Sequence, residues 1–221
     1  MVRIMSYNVH EGVNSNAVPN IDDITSVIIT SQPDVLALQE IPNRRWLEQI
    51  AVITNMVATT CDDGSQIGFL SVRTPARVSK RLFEDNGKRS QEKKRGALAI
   101  YIDSVNLTVI CTHFAADPTL RQQTRAASLL HDFARSQRGT VVIAGDLNAQ
   151  YITPPLKKLR QWGWCDLWRS SVDECHTECA GCSFSGSRGY LSGCTFPAGF
   201  AFQRIDYILC SNPNLKVMDA R

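Results

Sequence analysis

Val141-Val142-Ile143-Ala144-Gly145-Asp146-Leu147-Asn148-Ala149 is a short apolar run that ends on two polar side chains. A run this apolar and this short reads as a strand. Asp146 and Asn148 stand where that strand runs out. The same construction recurs outward along the chain. Ile4-Met5-Ser6-Tyr7 leads to Asn8, Val35-Leu36-Ala37-Leu38-Gln39 leads to Glu40, and Val109-Ile110-Cys111-Thr112 leads to His113. Asp206 sits within Arg204-Ile205-Asp206-Tyr207-Ile208-Leu209. Taken singly, an Asp or Asn after a strand is a turn former or a helix cap, and a lone Glu or His is solvated or structural. Taken together, rigid strands that aim carboxylates, amides and a histidine at one rim make a site for a hard cation with room for a phosphate.

Helical patterns fall between these strands. Ile21, Ile24, Val27 and Ile28 have helical spacing within residues 20–31, after Pro19 and with Asn20 as a candidate cap. A short helix with Trp46, Leu47 and Ile50 follows Glu40. Residues 55–60, 66–73, 78–83 and 96–102 read as strands joined by polar turns, one of them marked by Asn86-Gly87. Residues 118–135 read as a helix opened by Pro118, with Leu120, Ala127, Leu130 and Ala134 inward, and residues 154–161 as a short helix. Strands outnumber helices and many are consecutive, which favours packed sheets with outer helices over a doubly wound parallel sheet. The expected fold is α/β: a four-layer sandwich of two mostly antiparallel sheets flanked by helices, in one domain over residues 1–221.

Read in order, Ser6-Tyr7-Asn8-Val9-His10-Glu11-Gly12, Leu38-Gln39-Glu40, Thr112-His113-Phe114, Gly145-Asp146-Leu147-Asn148-Ala149 and Arg204-Ile205-Asp206-Tyr207-Ile208 resemble the motifs of the endonuclease/exonuclease/phosphatase superfamily. The Gly-Asp-x-Asn and Leu-Gln-Glu pieces are weak alone; the ordered set is specific. The resemblance implies hydrolysis of a phosphodiester or phosphomonoester by an activated water, without a covalent enzyme intermediate. It implies Mg²⁺ as cofactor, with Mn²⁺ able to substitute. Glu40 would be the main metal ligand, with Asn8 near the metal or its waters. Asp146 would orient or deprotonate the attacking water, and Asn148 would hold that water or a phosphate oxygen. His113 would donate to the phosphate, and Asp206 would orient a second histidine. His10 stands where some relatives carry an acidic residue, which points to one metal rather than two.

The chain departs from the family pattern in two places. Such families usually close with a Ser-Asp-His segment after the Arg-Ile-Asp-Tyr strand, and residues 207–221 contain no histidine. The expectation is a chain that lacks its last catalytic segment and last strand and is hydrolytically impaired. The alternative is a catalytically inactive module of the same fold that recognises phosphate. The second departure is a Cys-rich insertion at about residues 170–195, carrying Cys175, Cys179, Cys182 and Cys194. Structural Zn²⁺, two disulfides and unlinked thiols all remain open for it.

The substrate class stays open as well: nucleic acid, a phospholipid head group or a small phosphate ester. Thr195-Phe196-Pro197 resembles the broad hydrolases of the superfamily more than its dedicated nucleases. A net charge of +3 predicts no nucleic-acid binding by itself. From Arg77 to Arg95, however, eight Lys/Arg face three acidic residues. This segment reads as a solvated hairpin or as a positive rim that attracts a phosphorylated substrate, and Phe83 is its only aromatic. No run of eighteen apolar residues exists to span a membrane, and the start lacks the pattern of a signal peptide. The expectation is a cytoplasmic protein or a domain cut from a longer precursor. The sequence does not specify an oligomeric state.

Overall fold

Alternation along each strand decides which partner each face meets. In the computed structural model, which describes residues 1–83, 94–168, 195 and 203–211, the strands form two sheets. The first contains β1 (Ile4–Asn8), β2 (Val35–Gln39), β3 (Val57–Thr60) and β4 (Ile67–Ser71), in the order β1-β2-β4-β3. The second contains β5 (Arg77–Leu82), β6 (Gly96–Ile102), β7 (Leu107–His113), β8 (Thr140–Asp146), β9 (Cys165–Asp166) and β10 (Asp206–Cys210), in the order β5-β6-β7-β8-β10-β9. β1–β2 and β7–β8 pair in parallel and the other pairings are antiparallel, so both sheets are mixed.

Three apolar layers separate four structural ones. Between the sheets, Val35, Ala37, Ile67 and Phe69 meet Leu98, Ile100, Val109, Cys111, Val142 and Ala144. The residues one step out of phase face outward. Leu36, Leu38 and Leu70 pack under α1 (Ile21–Ser31) and α2 (Arg44–Thr54). Ala97, Ala99, Ile110 and Ile143 pack under α3 (Arg121–Arg135) and α4 (Pro154–Gln161). Because both faces of β2, β7 and β8 are covered, their sequences read as continuous apolar runs rather than as alternation. This is the expected four-layer sandwich. Within the middle layer the Cys111 thiol donates to the Leu38 carbonyl across the gap, and burial pushes that thiol up to about 12, which makes it an inert packing group.

The pairing geometry brings the polar strand ends together. Parallel β1 and β2 set Asn8 beside Gln39, one residue before Glu40, and parallel β7 and β8 set His113 beside Asp146. β10 runs antiparallel to β8 with Asp206 opposite Asp146. Asp206 therefore opens its strand, and β10 reaches the rim with its first residue rather than its last. Gly145 permits the close approach of β7 and β8, since a Cβ there would lie 2.0 Å from the Thr112 carbonyl oxygen.

Two local expectations are corrected. α3 begins at Arg121, after Leu120 in a left-handed conformation, and not at Pro118. The Asp117 carboxylate organises that entry by accepting from the Thr119 and Gln122 amides at 2.9 and 3.1 Å. This local turn wins over the preference of proline for a first helical position. Asn20 occupies the cap position of α1, but its side chain makes no capping hydrogen bond and its Oδ1 is buried without a partner.

Candidate active site

Asn8 lies at the centre of the rim. Its Oδ1 accepts from the His10 amide at 3.0 Å, which turns Nδ2 toward two carboxylates: Glu40 Oε1 and Asp146 Oδ2, each at 3.2 Å. The nitrogen of the amide, rather than its oxygen, thus bridges the residues contributed by the two sheets. Glu40 and Asn148 both hold left-handed backbone, with φ of 57° and 44°. Such conformations in side-chain-bearing residues cost about 1–3 kcal/mol and gather where a side chain must be aimed. The Glu40 carbonyl accepts from the Glu11 amide at 2.9 Å, which fixes the turn that aims this side chain.

His113 is 2% exposed and sits between charges of both signs. Nε2 is 3.6 Å from Asp146 Oδ2 and 3.8 Å from Glu40 Oε1, and Nδ1 is 2.6 Å from Arg95 Nη1. A guanidinium can only donate, so Nδ1 accepts and the neutral ring carries its proton on Nε2, toward the carboxylates. The Asn148 amide nitrogen, 3.2 Å from Nε2, then spends its hydrogen on the Phe114 carbonyl at 3.0 Å.

Asp146 is nearly buried, and its Oδ1 accepts from the Asn148 amide at 2.8 Å. Burial first, then the neighbouring Asp206 charge and that of Glu40, raise its carboxyl well above the usual carboxylate range. Burial likewise raises Asp206. Three carboxylates facing one another at the end of two apolar sheets are short of positive charge. Arg95 supplies part of it: burial lowers its guanidinium below the ordinary arginine value, and the Glu40 and Asp146 charges partly offset that.

The structure brings together Asn8, Glu40, His113, Asp146 and Asn148, with Asp206 beside Asp146. His10 stands at the margin, exposed, 3.8 Å from Glu40. Arg95 was visible in the sequence only as one charge in the basic segment; the β6–β7 register, which places Gly96 opposite His113, carries it into the site. Cys175, Cys179, Cys182 and Cys194 lie outside the described residues, as does Asn86-Gly87. Cys61, Cys111 and Cys165 are free thiols.

Among the described residues no three His, Cys, Asp or Glu side chains form a ready-made metal cage. The hard oxygens of Glu40 and its neighbours fit instead a cation that keeps most of its water, as Mg²⁺ does. No helix among the described residues is long and apolar enough to cross a membrane.

Loss of the Arg95 side chain should unlock the His113 tautomer. One charge-assisted hydrogen bond is worth about 1.5–3 kcal/mol, so Arg95→Ala should lower kcat by about 10–100-fold, with Arg95→Lys recovering part of it. The pH–rate profile is the check. An Arg95→Ala profile of wild-type shape and height would show that Arg95 has no hold on His113.

The model of the endonuclease/exonuclease/phosphatase family matches residues 5–220. Solved structures with the same fold include a mannosyl-6-phosphatase of Bacteroides thetaiotaomicron, 14% identical, with a TM-score of 0.71 over 97% of this chain and 86% of that one. A D. rerio TDP2 humanized by 14 mutations is 18% identical, with a TM-score of 0.66 over 97% of this chain and 85% of that one. An endonuclease/exonuclease/phosphatase of Beutenbergia cavernae is 17% identical, with a TM-score of 0.66 over 95% of this chain; the chain spans 64% of that protein's length. No curated protein sequence matches the chain.

Proposed function

Because the chain belongs to the endonuclease/exonuclease/phosphatase family, we propose that its rim hydrolyses a phosphodiester or phosphomonoester with an activated water and a divalent cation, Mg²⁺ or in its place Mn²⁺. The observation that carries this reading is the convergence of Asn8, Glu40, His113, Asp146 and Asn148 from two sheets on one rim. Glu40 would hold the cation with Asn8 beside it. Bound there, the cation would neutralise charge on the phosphate and polarise the ester.

The remaining steps belong to side chains. Asp146 takes the proton of the attacking water; its carboxyl is raised in affinity for protons by burial and by Asp206, which suits a general base. Asn148 holds the water or a phosphate oxygen. His113, with its proton on Nε2, donates to a phosphate oxygen as charge builds, and Arg95 keeps it in that tautomer. Asp206 acts through Asp146; among the described residues no histidine pairs with it.

That last point favours a second reading, in which the same contacts recognise a phosphate without turnover. Hydrolysis of bis(p-nitrophenyl) phosphate and p-nitrophenyl phosphate, with Mg²⁺ and with a chelator, separates the two. Metal-dependent release of nitrophenol supports the hydrolase. Phosphate binding without release from either compound supports the binding module.

A further inference from the structure

The buried face of α3 consists of Gln123, Ala126, Ala127, Leu130, Phe133 and Ala134, spaced as one helical stripe. Five of these six are apolar and pack into the layer over β6, β7 and β8. Gln123 is the exception, a carboxamide at 1% exposure where an aliphatic side chain would suit the stripe. Among the described residues its Oε1 is buried without a partner. An acceptor in that state lowers stability. Its Nε2, by contrast, is fully used: it donates to the Asn148 carbonyl at 3.3 Å and to the Asp117 carbonyl at 3.1 Å. We propose that Gln123 is a positioning residue of the rim, whose carboxamide holds the Asn148 backbone and so keeps the Asn148 side chain beside His113. The reaction it serves rests on the hydrolase reading; the contact itself does not.

Two loops meet at this carboxamide. Residues 114–120 leave His113, and residues 147–153 leave Asp146. The Asp117 carbonyl belongs to the first loop and the Asn148 carbonyl to the second. One buried side chain therefore ties together the segments that follow both strand ends. The β7–β8 ladder fixes His113 beside Asp146 and stops at that pair. Asn148 lies two residues beyond it and needs other support.

Its backbone makes the need specific. A φ of 44° is left-handed, and a residue with a side chain keeps such a conformation only where its surroundings over-determine it. Three contacts do so here. The Asn148 amide donates to Asp146 Oδ1 at 2.8 Å, its Nδ2 donates to the Phe114 carbonyl at 3.0 Å, and its carbonyl accepts from Gln123. The first two partners stand at the strand ends themselves, whereas the third comes from a helix. Without Gln123 the peptide that follows Asn148 is free to rotate, and the residue can relax out of the left-handed region. Its carboxamide then leaves its place 3.2 Å from His113 Nε2.

The test compares Gln123→Met, Asn148→Ala and the double variant. Methionine keeps the length of glutamine, suits an apolar stripe, and removes the donor and the orphaned acceptor together. The unfolding midpoint of Gln123→Met should stay near that of wild type, because two bonds to partly exposed residues are lost while a buried unpaired oxygen is removed. With Mg²⁺, kcat on bis(p-nitrophenyl) phosphate should fall by about 10–10²-fold, the cost of a small misplacement. The rise in Tm produced by Mg²⁺ should not change, since Glu40 follows a strand of the other sheet. In the Asn148→Ala background the same substitution should cost less than about twofold further, because nothing is left to position.

A second measurement needs no turnover. By NMR, the Asn148 side-chain amide should exchange with solvent at least about tenfold faster in Gln123→Met than in wild type. Gln123→Leu replaces the methionine variant if that one does not fold. An unchanged kcat, a loss in the Asn148→Ala background as large as in wild type, or an Asn148 amide that keeps its protection would overturn the proposal. If the wild-type chain turns over no phosphate ester, the hydrolase reading fails and the exchange rates alone decide: lost protection sustains the positioning role and kept protection refutes it.

Discussion

Asp146→Asn should lower kcat by about 10²–10⁴, the range for a positioned general base, and leave the cation in place. The substitution is conservative in shape. An asparagine Oδ1 can still accept from the Asn148 amide, the contact Asp146 makes at 2.8 Å, so the turn after β8 survives. What disappears is the acceptor for the proton of the attacking water, and with it the Oδ2 that accepts from Asn8 Nδ2 at 3.2 Å and faces His113 Nε2 at 3.6 Å. The rise in Tm produced by Mg²⁺ should therefore stay within a degree or so of wild type at about the same Kd, since binding to the native state alone sets it. A variant with normal turnover would remove Asp146 from the role of base. A variant that lost the Mg²⁺-linked rise would make Asp146 a principal ligand instead.

Glu40→Gln should show the opposite split. Glutamine keeps an oxygen for the Asn8 amide, whose contact with Glu40 is 3.2 Å, but it removes the charge that a hard cation seeks. At a metal concentration of about 100 Kd, linkage predicts about 2.7 kcal/mol of stabilisation for the wild type. Most of that gain should vanish in Glu40→Gln, with kcat/KM lower by about 10² or more at the same metal concentration. Differential scanning calorimetry with and without Mg²⁺ reads the first effect, and steady-state kinetics reads the second. A full Mg²⁺-linked stabilisation in Glu40→Gln would put the cation elsewhere.

The two substitutions separate because Glu40 and Asp146 come from different sheets. That arrangement could be read in the sequence as far as it depends on strand ends. Asn8, Glu40, His113, Asp146 and Asn148 each close an apolar run, and buried strands have limited freedom in where their ends emerge. Asp206 was harder, because direction depends on pairing: an antiparallel partner of β8 meets the rim with its first residue. Arg95 was harder still. It looks like its charged neighbours in sequence, and only the β6–β7 register distinguishes it. The start of α3 was misplaced because the carboxylate of Asp117 captures the local amides before the helix can begin at Pro118.

The most direct test of the central claim is the release of nitrophenol from bis(p-nitrophenyl) phosphate by the purified chain, followed through three stages in one sample: with Mg²⁺, after EDTA in excess, and after Mg²⁺ is restored. The rim described here predicts turnover, then its loss to the buffer rate, then its return, with Glu40→Gln slower by about 10² at the first and last stages. A rate indifferent to EDTA, or one that Glu40→Gln leaves untouched, would contradict it.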